Sequence, residues 1–405
     1  MGCSSSKELN RLRKENEKER KDIANAEEIV SIRNNQKRVS VYQAIVFTEN
    51  LLINSNLLLF TSYVNTTSEF NSLLENGEPK LEKGTYKSSN HSIAVGYRKG
   101  YKLEFVNQDK FCIFLNGNLD AFIIIDGHGF FGNKLAQICQ DILLEFVLNI
   151  SNTQEYFSQF YEKEFTNIFE DINKRINNKE ENLYGNYDPY LSGVAVTISI
   201  RINNYIYTAN VGNVLGIIFC NDKLMPSKYN ITELTFNDSN FSEDLVNNFD
   251  EPITEPKINE MSVEYLIKPE KINTEIRRIY EYGGEIRKLL GEEKSRIFVK
   301  GKYFPGLINT RSLGDHIGKG IGILCKPHVT KFRLNKSQKY YLLMCSDGIS
   351  NVCNITKLVN LVQRNEQLLL ESVTSILGES KSMYRAHSYT PDMTILIKEL
   401  KMEDF

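Results

Sequence analysis

The sequence predicts an α+β fold in which antiparallel sheets are covered by helices, on three observations. Short apolar runs occur in adjacent pairs separated by turn residues, long amphipathic helices also occur in pairs, and strict strand–helix–strand alternation is missing. The first strand pair is Phe111–Leu115 and Ala121–Ile125, split by the turn signal Asn116-Gly117-Asn118. After residue 132 the period changes, and Leu135, Ile138, Cys139, Ile142, Leu143, Phe146 and Val147 fall on one helical face. A second helix follows, with Phe157, Phe160, Tyr161, Phe165, Ile168, Phe169, Ile172 and Ile176 on its apolar face. Residues 193–219 return to strands joined by the Asn203-Asn204 turn, which indicates antiparallel pairing.

The chain has 405 residues, enough for one large domain or two ordinary ones. Its 49 Lys and Arg against 51 Asp and Glu leave a net charge of -2, so no basic excess recommends a nucleic-acid partner. Seven scattered cysteines, none spaced as CxxC and with no secretory segment behind Met1, read as reduced and mostly buried thiols.

The organisation expected is a lipidated N-terminus and charged spacer over 1–38, a helical extension over 39–87, and one domain over 88–400 with an insertion near 239–272. Met1-Gly2-Cys3-Ser4-Ser5-Ser6 fits the myristoylation pattern at Gly2, with Cys3 beside it as the palmitoylation candidate. Two acyl chains together would hold the protein stably at the cytoplasmic face of a membrane, which one alone would not. Mixed charge over 7–38 argues against a polybasic membrane patch. The apolar stretch 41–61 is interrupted by Glu49, Asn50, Asn54 and Asn56, too often for a membrane span, and is expected to pack as a helix on the domain. The 239–272 stretch is acidic, Asn-rich and carries Pro252, Pro256 and Pro269, with no nameable chemistry.

Chemistry concentrates where strands end in carboxylates. Phe122-Ile123-Ile124-Ile125-Asp126-Gly127-His128-Gly129 holds Asp126 at a sheet rim, and its glycines let backbone approach a ligand closely. Tyr340 to Asp347-Gly348 ends in the same way. A lone Asp-Gly is most often only a turn. Two at strand ends suit a hard oxygen-seeking cation such as Mg²⁺ or Mn²⁺.

With Asn107-Gln108-Asp109, Ala209-Asn210-Val211-Gly212, Glu275 through Gly283-Gly284, Pro305-Gly306-Leu307, Thr310 through Asp315, Ser346-Asp347-Gly348 and Asp392-Met393-Thr394, the chain resembles the type 2C metal-dependent protein serine/threonine phosphatases over about residues 88–400. The resemblance implies a four-layer α-β-β-α sandwich, a two-metal centre holding Mg²⁺ or Mn²⁺, and a phosphoprotein substrate. It implies that Asp126 bridges the ions, that the Gly127 carbonyl and Asp347 each bind one, and that Asp109 supports their waters. His128 would be the general acid for the leaving serine or threonine. Arg311 and Asp315 would be structural, and His91, His316, His328 and His387 carry no chemistry in this reading.

Four positions depart from the family pattern. Asn213 and Asn351 stand where aspartates of a third, weaker metal site are usual, so that site is expected to be empty or absent. Pro391 falls at the last metal-binding Asp, leaving the adjacent Asp392 as the candidate ligand. Glu104 replaces the phosphate-binding arginine, with Lys102 or Arg98 as possible substitutes. The alternative function is therefore a binding module that keeps the fold with a degenerate metal site. A monomer is the simplest expectation.

Overall fold

The structure is a computed structural model that describes residues 58–61, 82–88, 91–100, 106–117, 119–178, 186–221, 229–236, 263–265, 271–292, 294–365, 368–384 and 390–400. Gly2, Cys3, Lys102, Glu104, His387 and most of the 239–272 insertion lie outside them. Among the described residues no helix is long and apolar enough to cross a membrane.

The first sheet runs β1 (Leu58–Thr61), β4 (Lys110–Asn116), β5 (Leu119–His128), β6 (Gly193–Ile202), β7 (Tyr205–Val211) and β15 (His328–Arg333), with the short β14 (Leu313–Gly314) also on β6. The second runs β10 (Val263–Tyr265), β9 (Tyr229–Glu233), β8 (Leu215–Asn221), β16 (Tyr340–Cys345), β17 (Met393–Leu400), β3 (His91–Arg98) and β2 (Glu82–Ser88). Pairing is antiparallel except between β10 and β9. The predicted hairpin is β4–β5, with Ile113 opposite Phe122.

The two sheets face each other across a dry layer in which Ile113, Phe122 and Ile124 meet Ile218, Leu342 and Leu396. Helices α1 (Gly132–Ser151) and α2 (Gln154–Asn177) cover the first sheet. Helices α6 (Ile355–Arg364) and α7 (Leu369–Met383) cover the second, burying Leu358, Val362, Val373 and Leu377 on Ile397 and Leu343. The result is the expected four-layer sandwich. Between β10 and β14 the chain forms α3 (Lys271–Glu281) and a small sheet of β11 (Gly284–Lys288), β12 (Ser295–Val299) and β13 (Pro305–Leu307), which share their own apolar cluster. The remaining helices are the short α4 (His316–Lys319) and α5 (Asp347–Ser350).

Two expectations need correcting. The extension is not simply helical, because Leu58–Thr61 adds a strand to the open edge of β4 and Glu82–Ser88 adds one to β3. An apolar run of that length fits a strand as well as a helix, and an open sheet edge offers it backbone partners. In α2, Phe160 does not join the buried face. The helix kinks there (φ -118°, ψ 22°), and the ring is 40% exposed while Phe157, Phe165 and Phe169 are buried. The six described cysteines are free, and five of them are buried as expected.

Candidate active site

Strands β5 and β16 belong to opposite sheets but end at the same edge of the sandwich, where the Asp347 backbone N–H donates to the Asp126 carboxylate at 3.3 Å. Between them opens a cavity of about 240 Å³ lined by Asp126, Gly127, His128, Asn213, Asp347 and Asp392, among others. A Cβ on Gly127 would lie 2.6 Å from the Gly132 carbonyl and 2.8 Å from that of Gln108, so only glycine fits that close backbone crossing.

His128 projects beside this carboxylate pair, about a third exposed, with Nε2 2.7 Å from Oδ2 of the fully buried Asp315. Burial alone would push the imidazole down, but the Asp315 carboxylate outweighs it and holds His128 above its usual range. Two backbone features make the contact possible. Gly193 lies opposite His128 on β6, and a Cβ there would sit 2.2 Å from the Asp315 carboxylate. Asp315 itself is left-handed, φ 45°, a costly conformation for a residue with a side chain. Its Oδ1 is buried with no hydrogen-bond partner. The structural role expected of Asp315 is thus incomplete, because it is a cavity-lining group that positions His128.

Asp347 is held by amides. Asn213 Nδ2 donates to its Oδ2 at 3.0 Å and Asn351 Nδ2 to the same oxygen at 3.3 Å. Asn309 Nδ2 donates to Asn213 Oδ1 at 3.1 Å, and Lys294 Nζ to Asn351 Oδ1 at 2.6 Å, so each amide is oriented from behind. The two positions that depart from the family's aspartates therefore donate to a carboxylate here instead of offering oxygens of their own.

Asp109 and Asp392 sit deeper. Asp109 is buried, accepts the Thr394 hydroxyl at 2.7 Å and lies behind the cavity. Burial and the neighbouring Asp392 push its carboxyl up to about 7. Asp392 reaches the cavity wall, yet its two oxygens accept the Gly100 N–H at 2.7 Å and the Gln108 N–H at 3.0 Å. It ties three chain segments together at the rim, and Pro391 beside it lines the wall too.

Arg311, by contrast, is structural as expected. Its guanidinium bonds both oxygens of Glu275, at 2.7 and 3.0 Å, and Arg278 and Thr310 complete that carboxylate's shell. Burial would raise Glu275, but the two arginines outweigh it and hold it at about 2.

Arg98 is buried and is not part of the cavity wall. Among the described residues the only Lys or Arg lining the cavity is Arg296, on β12, which bonds Glu292 at 2.6 Å and the Gly306 carbonyl at 2.9 Å. Sequence reasoning missed it, as it missed Asn309 and Lys294. Nothing about these residues in the chain marks them until the small sheet folds over the cavity.

Could these residues hold a metal? Among the described residues no three His, Cys, Asp or Glu side chains converge into a ready-made cage. Mg²⁺ and Mn²⁺ do not require one, since one or two carboxylates and several waters suffice. Asp126 and Asp347 supply such oxygens at a water-accessible edge, and the carboxylates of Asp109 and Asp392 close behind add negative charge that favours a cation there. The donor set fits a hard divalent ion.

Comparison with known proteins agrees with this geometry. Residues 268–382 match the family model described as Protein phosphatase 2C. The chain is 24% identical to probable protein phosphatase 2C 35 of Arabidopsis thaliana, over 73% of this chain and 79% of that one. Among solved structures it is similar to a serine-threonine phosphatase 2C from Toxoplasma gondii (TM-score 0.58, 12% identity, 80% of this chain and 100% of that one). It is also similar to a C. elegans sex determining protein (TM-score 0.53, 19% identity, 79% and 67%). At such identities these two structural likenesses speak for the fold alone.

Proposed function

We propose, from the premise that the chain belongs to the type 2C protein serine/threonine phosphatases, that it hydrolyses phosphoserine and phosphothreonine at the Asp126–Asp347 edge with Mg²⁺ or Mn²⁺. The observation that carries this reading is the junction of two carboxylate-ended strands from opposite sheets beside a histidine held by a buried aspartate. Asp126 and Asp347 would hold the ions, two in number, with the Gly127 carbonyl as a further oxygen and Asp109 supporting from behind. Bound there, divalent cations supply an acidified water and offset the charge of the phosphoryl oxygens.

The chain's own groups do the rest. Arg296 faces the phosphoryl group from the small sheet, in place of the family's arginine. Because Nε2 of His128 is engaged by Asp315, its other ring nitrogen, Nδ1, is the atom from which a proton passes to the serine or threonine oxygen as the P–O bond breaks. Asp315 favours the charged form of that imidazole. The amides of Asn213 and Asn351 occupy Asp347 Oδ2 and leave Oδ1 for a cation.

The test is hydrolysis of a phosphopeptide with and without Mn²⁺. Wild type should depend on the ion, and Asp126→Ala should lower the rate about a thousandfold. Equal rates for the two proteins, or rates indifferent to Mn²⁺, would refute the reading.

The location proposed is the cytoplasmic face of a membrane, reached through myristoyl at Gly2 and palmitoyl at Cys3, on the strength of the N-terminal pattern. Fractionation of Gly2→Ala should find the protein in the supernatant, and a variant still pelleting with membranes would end that proposal.

A further inference from the structure

Immediately beyond His128 the surface turns apolar. Phe130 is 69% exposed, and Tyr190 and Leu191 on the neighbouring loop are 47% and 52% exposed. These are large side chains on ordered backbone. Position 129 presses against the neighbouring loop so closely that a Cβ there would lie 2.4 Å from the Leu191 carbonyl. The Phe131 N–H donates to Ser192 Oγ at 3.1 Å, and the Phe130 ring meets that of Phe131 at 4.8 Å. On its other side the loop accepts the His316 N–H at Pro189 (2.9 Å) and the Ile317 N–H at Tyr190 (3.2 Å), next to Asp315. The ledge is therefore fastened to both segments that carry the His128–Asp315 pair.

Bulky apolar groups on tied-down loops lose little freedom when covered, which favours binding over them. What covers them follows from the reaction. The group that leaves phosphorus is a serine or threonine oxygen, and His128 must touch it to give it a proton. The substrate backbone therefore passes on the His128 side of the cavity. Successive residues of an extended chain are at most ~3.6 Å apart along its length, so those beside the phosphorylated residue fall over the ledge. The small sheet lines the cavity with Arg296 as well as Leu307, whereas the ledge is the apolar group tied to the segments that carry His128 and Asp315.

We propose that Phe130, Tyr190 and Leu191 form a specificity ledge that selects phosphoprotein segments with a bulky apolar side chain next to the phosphorylated serine or threonine. The proposal rests on the phosphatase reading above, and its test separates the two. Two phosphopeptides are compared that are identical except for Leu or Ser directly after the phosphoserine. Wild type should favour the Leu peptide about tenfold in kcat/KM, mainly through KM. In Phe130→Ser/Leu191→Ser the ratio should fall toward one. A lesion in chemistry or folding would slow both peptides and leave their ratio unchanged.

A wild-type ratio near one overturns the proposal, as does a wild-type preference that survives in the double variant. If neither peptide is turned over with Mn²⁺, the phosphatase reading fails. The ledge is then decided on the same proteins by fluorescence anisotropy of the two labelled peptides, with the same ratios expected. A wild type that sediments as a dimer, and a double variant that sediments as a monomer, would mean that a second copy covers the ledge, and would also overturn the proposal.

Discussion

Glu275 and Asp315 are both buried carboxylates that pair with a base through the segment 310–315, and they are satisfied to very different degrees. Glu275 receives Arg311 on both oxygens, with Arg278 and Thr310 as well, on ordinary helical backbone. Asp315 bonds one partly exposed histidine with one oxygen, has no well-formed hydrogen bond on the other although Ser312 and the charge of Lys319 lie near, and stands in a left-handed conformation. A saturated buried pair holds a fold together and has no capacity left for a ligand. An under-satisfied, strained carboxylate at a cavity is costly unless it acts on something, and here it orients His128, the proposed proton donor. Six residues that read as one structural motif in the sequence thus divide into a knot and a lever.

The largest effect should come from cutting the knot. Arg311→Ala strands the Glu275 carboxylate in a buried shell and should lower stability by about 3–5 kcal/mol, measured by urea unfolding. Phosphatase activity per folded molecule should change little. A stable Arg311→Ala protein with lost activity would reverse the assignment of the two carboxylates.

Next in size is the lever. Asp315→Asn should leave the protein folded and lower kcat about a hundredfold. The charge that lifts His128 above its usual range is then gone, so its protonated form, favoured below its pKa, is lost at lower pH. The alkaline limb of the pH–rate profile should move to lower pH by comparison with wild type. An unmoved limb would show that Asp315 does not act through His128.

The smallest effect lies at a flaw beside the knot. His328 is buried against Phe236 at 4.8 Å, and neither ring nitrogen has a hydrogen-bond partner. Burial first, then Arg311, with Lys271 and Arg278 against the opposing Glu275, pushes it down to about 3. The unfolded chain takes up a proton near pH 6.5 and the folded chain does not. Stability should therefore fall from about pH 6.5 downward, with about 2 kcal/mol lost by pH 5. Unfolding of His328→Leu across that range should remove this component, and an identical pH slope in the variant would show that His328 is not its source.

Much of this was legible beforehand. Two apolar runs split by a turn signal located the β4–β5 hairpin, whose strands are buried on both faces, and helical periodicity located both helices over the first sheet. Asp126 and Asp347 stood out because two apolar strands end in Asp-Gly, a pairing that turns alone do not explain, and because the other motifs accompany them in order. The kink at Phe160 was not legible, since a helical pattern continues through it. Leu58–Thr61 looked helical because its strand exists only through the edge of β4. Asn213 and Asn351 read as losses from the family's metal site, whereas folded they are donors to Asp347, a role visible only with Asn309 and Lys294 in place behind them. Arg296 reaches the cavity from a separate small sheet, a distance in sequence that no local motif spans.

The central claim is that Asp126 and Asp347 form a metal centre, and calorimetric titration of Mn²⁺ into wild type and Asp126→Ala tests it without relying on turnover. The account predicts two ions bound per wild-type chain and the loss of at least one of them in the variant. The same stoichiometry and affinity in both proteins would contradict it.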